Sequence, residues 1–186
     1  MTSATPLAAD IRQASAADVP AIQRVARRSL ADSCSFLGQS LLDRIVEEWY
    51  TDAAVNAAIE RPDVTYVVAC TPETPDGADE GGELVGYATA VQTTATEGAV
   101  PSLAVDPDHW GEGIGTALIE RLITTLHRRG VSRVETTVFA DSEVGVDFCE
   151  SRGFERAGER EADLPEGSPS HREYVYTSDL SASAKP

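Results

Sequence analysis

The chain has 186 residues, 41% of them hydrophobic. That length suits one core of the usual size, burying about 70% of the extended surface, so one domain spanning 1–186 is expected, ordered over about 11–180, and extended disorder is excluded. Thirty-one acidic against 15 basic residues give a net charge of -16, with Lys185 the single lysine, a balance that disfavours nucleic acid as a partner because phosphate backbones would be repelled.

In chain order, a short strand at Ile11 to Gln13 leads into Ser15-Ala16-Ala17-Asp18, a capping-box-like helix start. Val19, Ile22, Val25, Ala26 and Leu30 then recur at helical spacing, and Pro20 is tolerable because it stands in the first turn. Leu41, Leu42, Ile45, Val46 and Trp49 mark a second helix, and Val55, Ala58 and Ile59 a shorter third that stops before Pro62. From Val64 the texture turns to β-branched runs, Val64 to Cys70 and Leu84 to Gln92. Thr71 to Glu83 between them, with five acids and no base, reads as a solvated hairpin loop. A third run, Gly98 to Val105, ends at Asp106-Pro107, where proline stops a strand ladder. Ile114, Ala117, Leu118, Leu122 and Leu126 form a long amphipathic helix ending at Gly130. Val131 to Phe139 is a strand, Ser142 to Arg152 a short helix closed by Gly153, and Phe154 to Glu159 and Arg172 to Ser178 two further strands. Helices, then a strand meander, then a strand–helix–strand unit describe a mixed sheet of the α/β or α+β class.

Cys34, Cys70 and Cys149 form no CxxC pair, and His109, His127 and His171 pair with nothing at ligand spacing, so neither a disulfide framework nor a metal centre is expected. With no apolar run near the roughly 18 residues of a membrane span and no secretory signal, a cytoplasmic setting without membrane association is expected. The acids are spread along the whole chain rather than clustered as a pocket for a cation would require. That pattern resembles a salt-adapted, halophilic composition: at molar salt the screening length falls to about 3 Å and self-repulsion largely disappears.

The stretch richest in chemistry is Leu103 to Arg121, LAVDPDHWGEGIGTALIER. Gly111, Gly113 and Gly115 lie between a strand and a helix, where the backbone can turn tightly and offer N–H groups and the positive helix end to a phosphate. A tight packing turn is the other reading of the same glycines. A P-loop is excluded because no Gly-Lys-Ser/Thr follows, and a dinucleotide fingerprint because the spacing is GxGxG.

These residues resemble the GNAT (GCN5-related N-acetyltransferase) family. Leu103 to Pro107 matches its strand-V-x-P element, Gly113-Ile114-Gly115 its glycines, and Phe148, Gly153 and Phe154 its second conserved-pattern segment, aligned with Ser142 to Phe154. The order of elements also follows the family, including members that acetylate ribosomal-protein alanine termini. The resemblance implies a mainly antiparallel sheet of six or seven strands flanked by helices and splayed between the fourth and fifth strands. It implies acetyl-CoA as cosubstrate, no metal, and direct attack by a primary amine, on a small molecule or a peptide N-terminus. Leu103, Ala104 and Val105 would hold the pantetheine; Trp110, Gly111, Glu112, Gly113, Ile114, Gly115 and Thr116 would hold the diphosphate, with Ser142 beside them. A non-catalytic acyl-CoA-binding or sensory domain is the alternative, and a homodimer is compatible with the resemblance.

The chain departs from the family pattern at Trp110 for Gln or Arg, Ser142 for Asn, Gly145 for Ala, and Cys149 for the Tyr that serves as general acid in many members. Cys149 is a candidate acid or substrate contact, a candidate nucleophile, or a packing residue. The aligned position of the base used by the ribosomal-protein alanine acetyltransferases is Thr137, which leaves Glu97 as the candidate base or as a solvated carboxylate, and His109 beside the glycine loop.

Overall fold

The computed structural model describes residues 9–72 and 82–180. Among them, seven strands form one sheet in the order β1-β2-β3-β4-β5-β7-β6. The strands are β1 (Asp10–Gln13), β2 (Val64–Cys70), β3 (Leu84–Gln92), β4 (Glu97–Val105), β5 (Arg133–Phe139), β6 (Glu155–Glu161) and β7 (Arg172–Asp179). The helices are α1 (Val19–Ser33), α2 (Gln39–Trp49), α3 (Asp52–Glu60), α4 (Ile114–Arg128) and α5 (Glu143–Ser151). Most of the hairpin loop expected between β2 and β3 falls at 73–81, outside the described residues.

The helices bury the faces their periodicity marks, except that Trp49, the last residue of the α2 pattern, is 42% exposed. On one side of the sheet, Ile114, Leu118, Leu122 and Leu126 of α4 pack with Val67, Val85 and Val134 in one core that also takes Cys149 and Phe154. On the other side, Val19, Ile22, Val25 and Ala26 of α1 pack with Val55 of α3 and with Tyr66, Val68 and Tyr87. A third cluster joins Leu41, Leu42 and Ile45 of α2 to Cys34, with Phe139 of β5 against it. The capping-box segment forms as read: the Ser15 amide donates to Asp18 Oδ2 at 2.8 Å, and Arg12 clasps the same carboxylate with two bonds of 2.8 Å. The Arg12 hydrogen bond holds the Asp18 carboxyl below its ordinary range.

All strand pairs are antiparallel except β4 and β5, which run parallel. Their pairing covers only Glu97 to Val100 against Arg133 to Thr136. Beyond Val100 the two strands separate, as the resemblance implied for the fourth and fifth strands. A β-bulge accounts for this: Val91 faces Ala99 while Thr89 faces Ser102, so β4 carries one extra residue between them. Pro101 lies in that bulge and has no N–H to give a ladder. The last link before the gap is the Thr136 hydroxyl donating to the Val100 carbonyl at 2.9 Å.

Candidate functional site

The seam between β4 and β5 opens into a cleft of about 840 Å³. Its first wall is the far half of β4. The Asp106 amide donates to the Val85 carbonyl of β3 at 2.7 Å, so by strand alternation the backbone groups of Leu103 and Val105 face away from β3, into the seam. Trp110 takes one of them, its indole Nε1 donating to the Val105 carbonyl at 2.8 Å. The Leu103 N–H and C=O and the Val105 N–H remain directed at the opening.

The floor is the segment from Trp110 to Thr116, a loop through Gly113 and then the first turn of α4. Gly111 at φ 81° and Gly113 at φ 82° both adopt the left-handed conformation, which glycine enters without steric cost. Gly113 is the N-cap residue of α4 and makes no side-chain cap bond, so the first N–H groups of a 15-residue helix point outward at its positive end. Gly115 is a glycine for a different reason: a Cβ there would stand 3.0 Å from Cε2 of Phe148 on α5. Beside the loop, His109 Nδ1 lies 2.8 Å from Glu112 Oε2, and Arg152 donates to the Thr116 hydroxyl at 2.8 Å. Among the described residues Arg152 is the single arginine lining the cleft.

The third wall comes from α5, where the Ser142 hydroxyl caps the helix by accepting from the Gly145 amide at 3.3 Å. At Gly145 a Cβ would overlap Val138 Cγ1, which accounts for glycine at that position. Cys149 lines the cleft but is 5% exposed and part of the core, and burial followed by the nearby Glu150 charge pushes its thiol up to about 11. The fourth wall, on the α1–α2 side, holds Cys34, Trp49, Tyr50, Phe139, Asp163 and Glu173. Tyr50 accepts a 2.9 Å hydrogen bond from the buried Tyr87 hydroxyl, and Thr89 and Ser102 share another of 2.9 Å beneath β4. Burial raises the titration of Cys34, Tyr50 and Tyr87, so all three stay neutral at ordinary pH.

A splayed parallel pair beside a glycine-capped helix is a specific arrangement, and the sequence profile described as "Acetyltransferase (GNAT) family" matches residues 37–154, the span that contains both. This chain belongs to the GNAT family. Among its curated relatives, "Histone acetyltransferase TAP1" of Glycine max is 43% identical over 79 residues, covering 41% of this chain and 33% of that protein. The Escherichia coli K12 "[Ribosomal protein bS18]-alanine N-acetyltransferase" is 35% identical over 78 residues, covering 42% of this chain and 52% of that protein. These matches thus span about a third to a half of the relatives' own length. "N-alpha-acetyltransferase RimI" of Mycobacterium tuberculosis aligns further, 32% identical over 136 residues, with 72% of this chain and 77% of that protein covered. Among solved structures, the PaiA N-acetyltransferase of Thermoplasma acidophilum in complex with coenzyme A superposes with a TM-score of 0.75 at 18% identity, covering 92% of this chain and 99% of that one. The Escherichia coli ribosomal-protein-S18-alanine N-acetyltransferase gives 0.66 at 21%, covering 92% and 94%. At such identities the likeness is one of fold.

Within this GNAT fold, Leu103, Ala104, Val105, Trp110, Gly111, Gly113, Ile114, Gly115, Thr116, Ser142 and Cys149 all line the cleft. Glu112 sits at its rim, turned to His109. Glu97 is not brought there. It stands at the closed end of the seam opposite Arg133, and the five residues from Glu97 to Ser102 carry the strand about 16 Å further on. Tyr50, Phe139, Arg152 and Glu173 carry no motif; tertiary packing alone brings them to the cleft.

Proposed function

We propose that the chain is an acetyl-CoA-dependent N-acetyltransferase that acetylates a primary amine, on a small molecule or a peptide N-terminus. The observation that carries this is the union, in one cleft, of an unpaired strand edge with a bare helix N-terminus. The edge at Leu103 and Val105 offers alternating donors and acceptors to an amide-bearing arm, and the Gly111–Thr116 loop offers N–H groups to a diphosphate. Arg152 adds the cation that stands nearest this loop.

The acceptor reaches the thioester from the α1–α2 side, where Asp163 gives the wall negative charge that attracts a cationic amine, while Glu173 is held by Arg160 at 2.7 Å. The ammonium first gives a proton to water in the open cleft, and the neutral nitrogen attacks the thioester carbon; as the C–N bond forms the nitrogen passes a second proton to water, the tetrahedral oxyanion collapses, the C–S bond breaks and CoA leaves as thiolate. Holding both reactants in one cleft and binding the oxyanion with fixed N–H groups supply most of the acceleration. Cys149 has no acid role in this scheme. A thiol held near 11 is a weaker acid than the thiol it would create by protonating the departing thiolate, about 8.5 for an ordinary thiol, so that proton transfer runs uphill. Glu97, outside the cleft, has no role as base.

The buried Cys149 in place of an acid also favours a second reading, an acyl-CoA-binding domain that transfers nothing. One experiment separates them: acetyl-CoA binding by calorimetry, together with thiol release across an amine panel at several salt concentrations. Binding with release supports the enzyme, binding without release under any condition supports the second reading, and absence of binding overturns both.

A further inference from the structure

A second cavity of about 320 Å³ lies under α3, against the outer face of β3 and β4. It shares Trp49, Tyr50, Pro101 and Ser102 with the main cleft, so the two are neighbours across the bulge where the seam begins. Its inner surface is hydrocarbon and aromatic, formed by Val55, Ala58, Ala90, Val91 and the ring of Tyr66. Arg61 is the one charged residue on it among those described, and its guanidinium is committed to Asp63. At the entrance Trp49 is 42% exposed, an unusual setting for the largest apolar side chain. The doorway itself is fixed: the Tyr87–Tyr50 and Thr89–Ser102 hydrogen bonds lock the side chains that stand between the two spaces.

We propose that this cavity is an acceptor subsite, which takes the apolar body of the amine while its nitrogen lies at Ser102 beside the open seam. The proposal rests on the N-acetyltransferase reading above and adds the class of acceptor: a primary amine carried on an aliphatic or aromatic group. Three observations select the acceptor as occupant. The cavity meets the cleft at Pro101 and Ser102, on the edge where the thioester must be attacked. It lies on the α1–α3 side of the sheet with Tyr66 and Tyr87, opposite the α4 and α5 packing that carries the glycine loop. It contains no carboxylate among the described residues, so it suits the uncharged part of an amine.

The test compares methylamine with 2-phenylethylamine as acceptors, in kcat/KM and in calorimetric affinity for the CoA-loaded protein. The unmodified protein is expected to favour 2-phenylethylamine at least about tenfold, the discrimination that apolar pockets commonly reach. Ala58→Phe, which fills the cavity from α3, collapses that ratio toward one, and Ala54→Leu, on an exposed helix position at the cavity's edge, reduces it without threatening the fold. Acetyl-CoA affinity is measured on every variant. A ratio near one in the unmodified protein, with CoA released from both amines, overturns the subsite and leaves the transferase reading standing. A chain-length preference that appears instead on the donor, butyryl-CoA over acetyl-CoA, and is lost in Ala58→Phe assigns the cavity to the acyl group and also overturns it. Absence of acetyl-CoA binding removes both readings.

Discussion

Gly111, in the loop, and Gly115, four residues on in the first turn of α4, are glycines for different reasons. At Gly111 a Cβ would meet nothing within 4 Å, so its φ of 81° is the whole cost of Gly111→Ala, about 1 kcal/mol. At Gly115 the cost is contact with Phe148. Both substitutions are expected to lower the melting temperature by roughly 2–4 °C and to weaken acetyl-CoA binding, but only Gly115→Ala is expected to recover when Phe148→Leu is added. Recovery of both, or of neither, in a thermal melt of the double variants would contradict that division. Cys149 invites an equally direct check. Buried, with its thiol at about 11, it should resist iodoacetamide near pH 8, and Cys149→Ala should keep acetyl transfer within a few-fold while costing stability through the small cavity left behind. A rate loss of about a hundredfold at unchanged acetyl-CoA affinity would restore it as the acid.

At the level of elements, α5 is short and depends on its ends. Ser142, 3% exposed, caps it, and Gly153 at φ 81° closes it. Ser142→Ala removes an acceptor from the first turn and should cost about 1 kcal/mol, read as a fall in melting temperature of roughly 2–4 °C. Because the same helix carries Phe148, against the glycine loop, and leads directly to Arg152, at Thr116, the variant should also weaken acetyl-CoA binding. Unchanged affinity would show that the loop holds its shape without α5. The other decisive element is β4, in which one extra residue at Pro101 ends the pairing with β5 and turns the following side chains over, so that Ser102 meets the tyrosine side of the sheet.

For the molecule as a whole, alkaline pH and salt are the two levers. Tyr176, whose hydroxyl donates to Glu150 at 3.0 Å, is pushed by burial to about 12 from 10.0, and Cys149 by burial to about 11 from 9.0. Both are neutral in the folded protein over a range where the unfolded chain ionises. The stability they contribute is therefore full below pH 9 and is lost between about pH 9 and 12. Denaturant midpoints across that range should fall, and Tyr176→Phe should flatten the upper part of the fall. Net charge -16 acts in the other direction with ionic strength: melting temperature should rise from 0.1 M to 2 M KCl as self-repulsion is screened. A flat salt profile would remove the salt-adapted reading of the composition.

How far the sequence reaches depends on whether information is local. The runs Val64–Cys70 and Leu84–Gln92 are β2 and β3 to the residue, and the 3.6-residue pattern from Ile114 gives α4, because alternation and helical spacing are local consequences of backbone geometry. The glycine loop is legible for the same reason, since left-handed turns demand glycine wherever they occur. Glu97 shows the limit: a charged residue at the start of the splayed strand is near the seam in number, yet β4 carries it to the closed end. Tyr50, Trp49, Arg152 and Glu173 show the converse, with no spacing that links them and one cleft that collects them. The sequence by itself determined the elements, the family and the glycine loop. Only the tertiary structure decided which polar side chains face the opened seam and that a second cavity adjoins it, because those depend on a bulge in β4 and on α2 and α3 packing across the sheet, contacts between residues far apart in the chain.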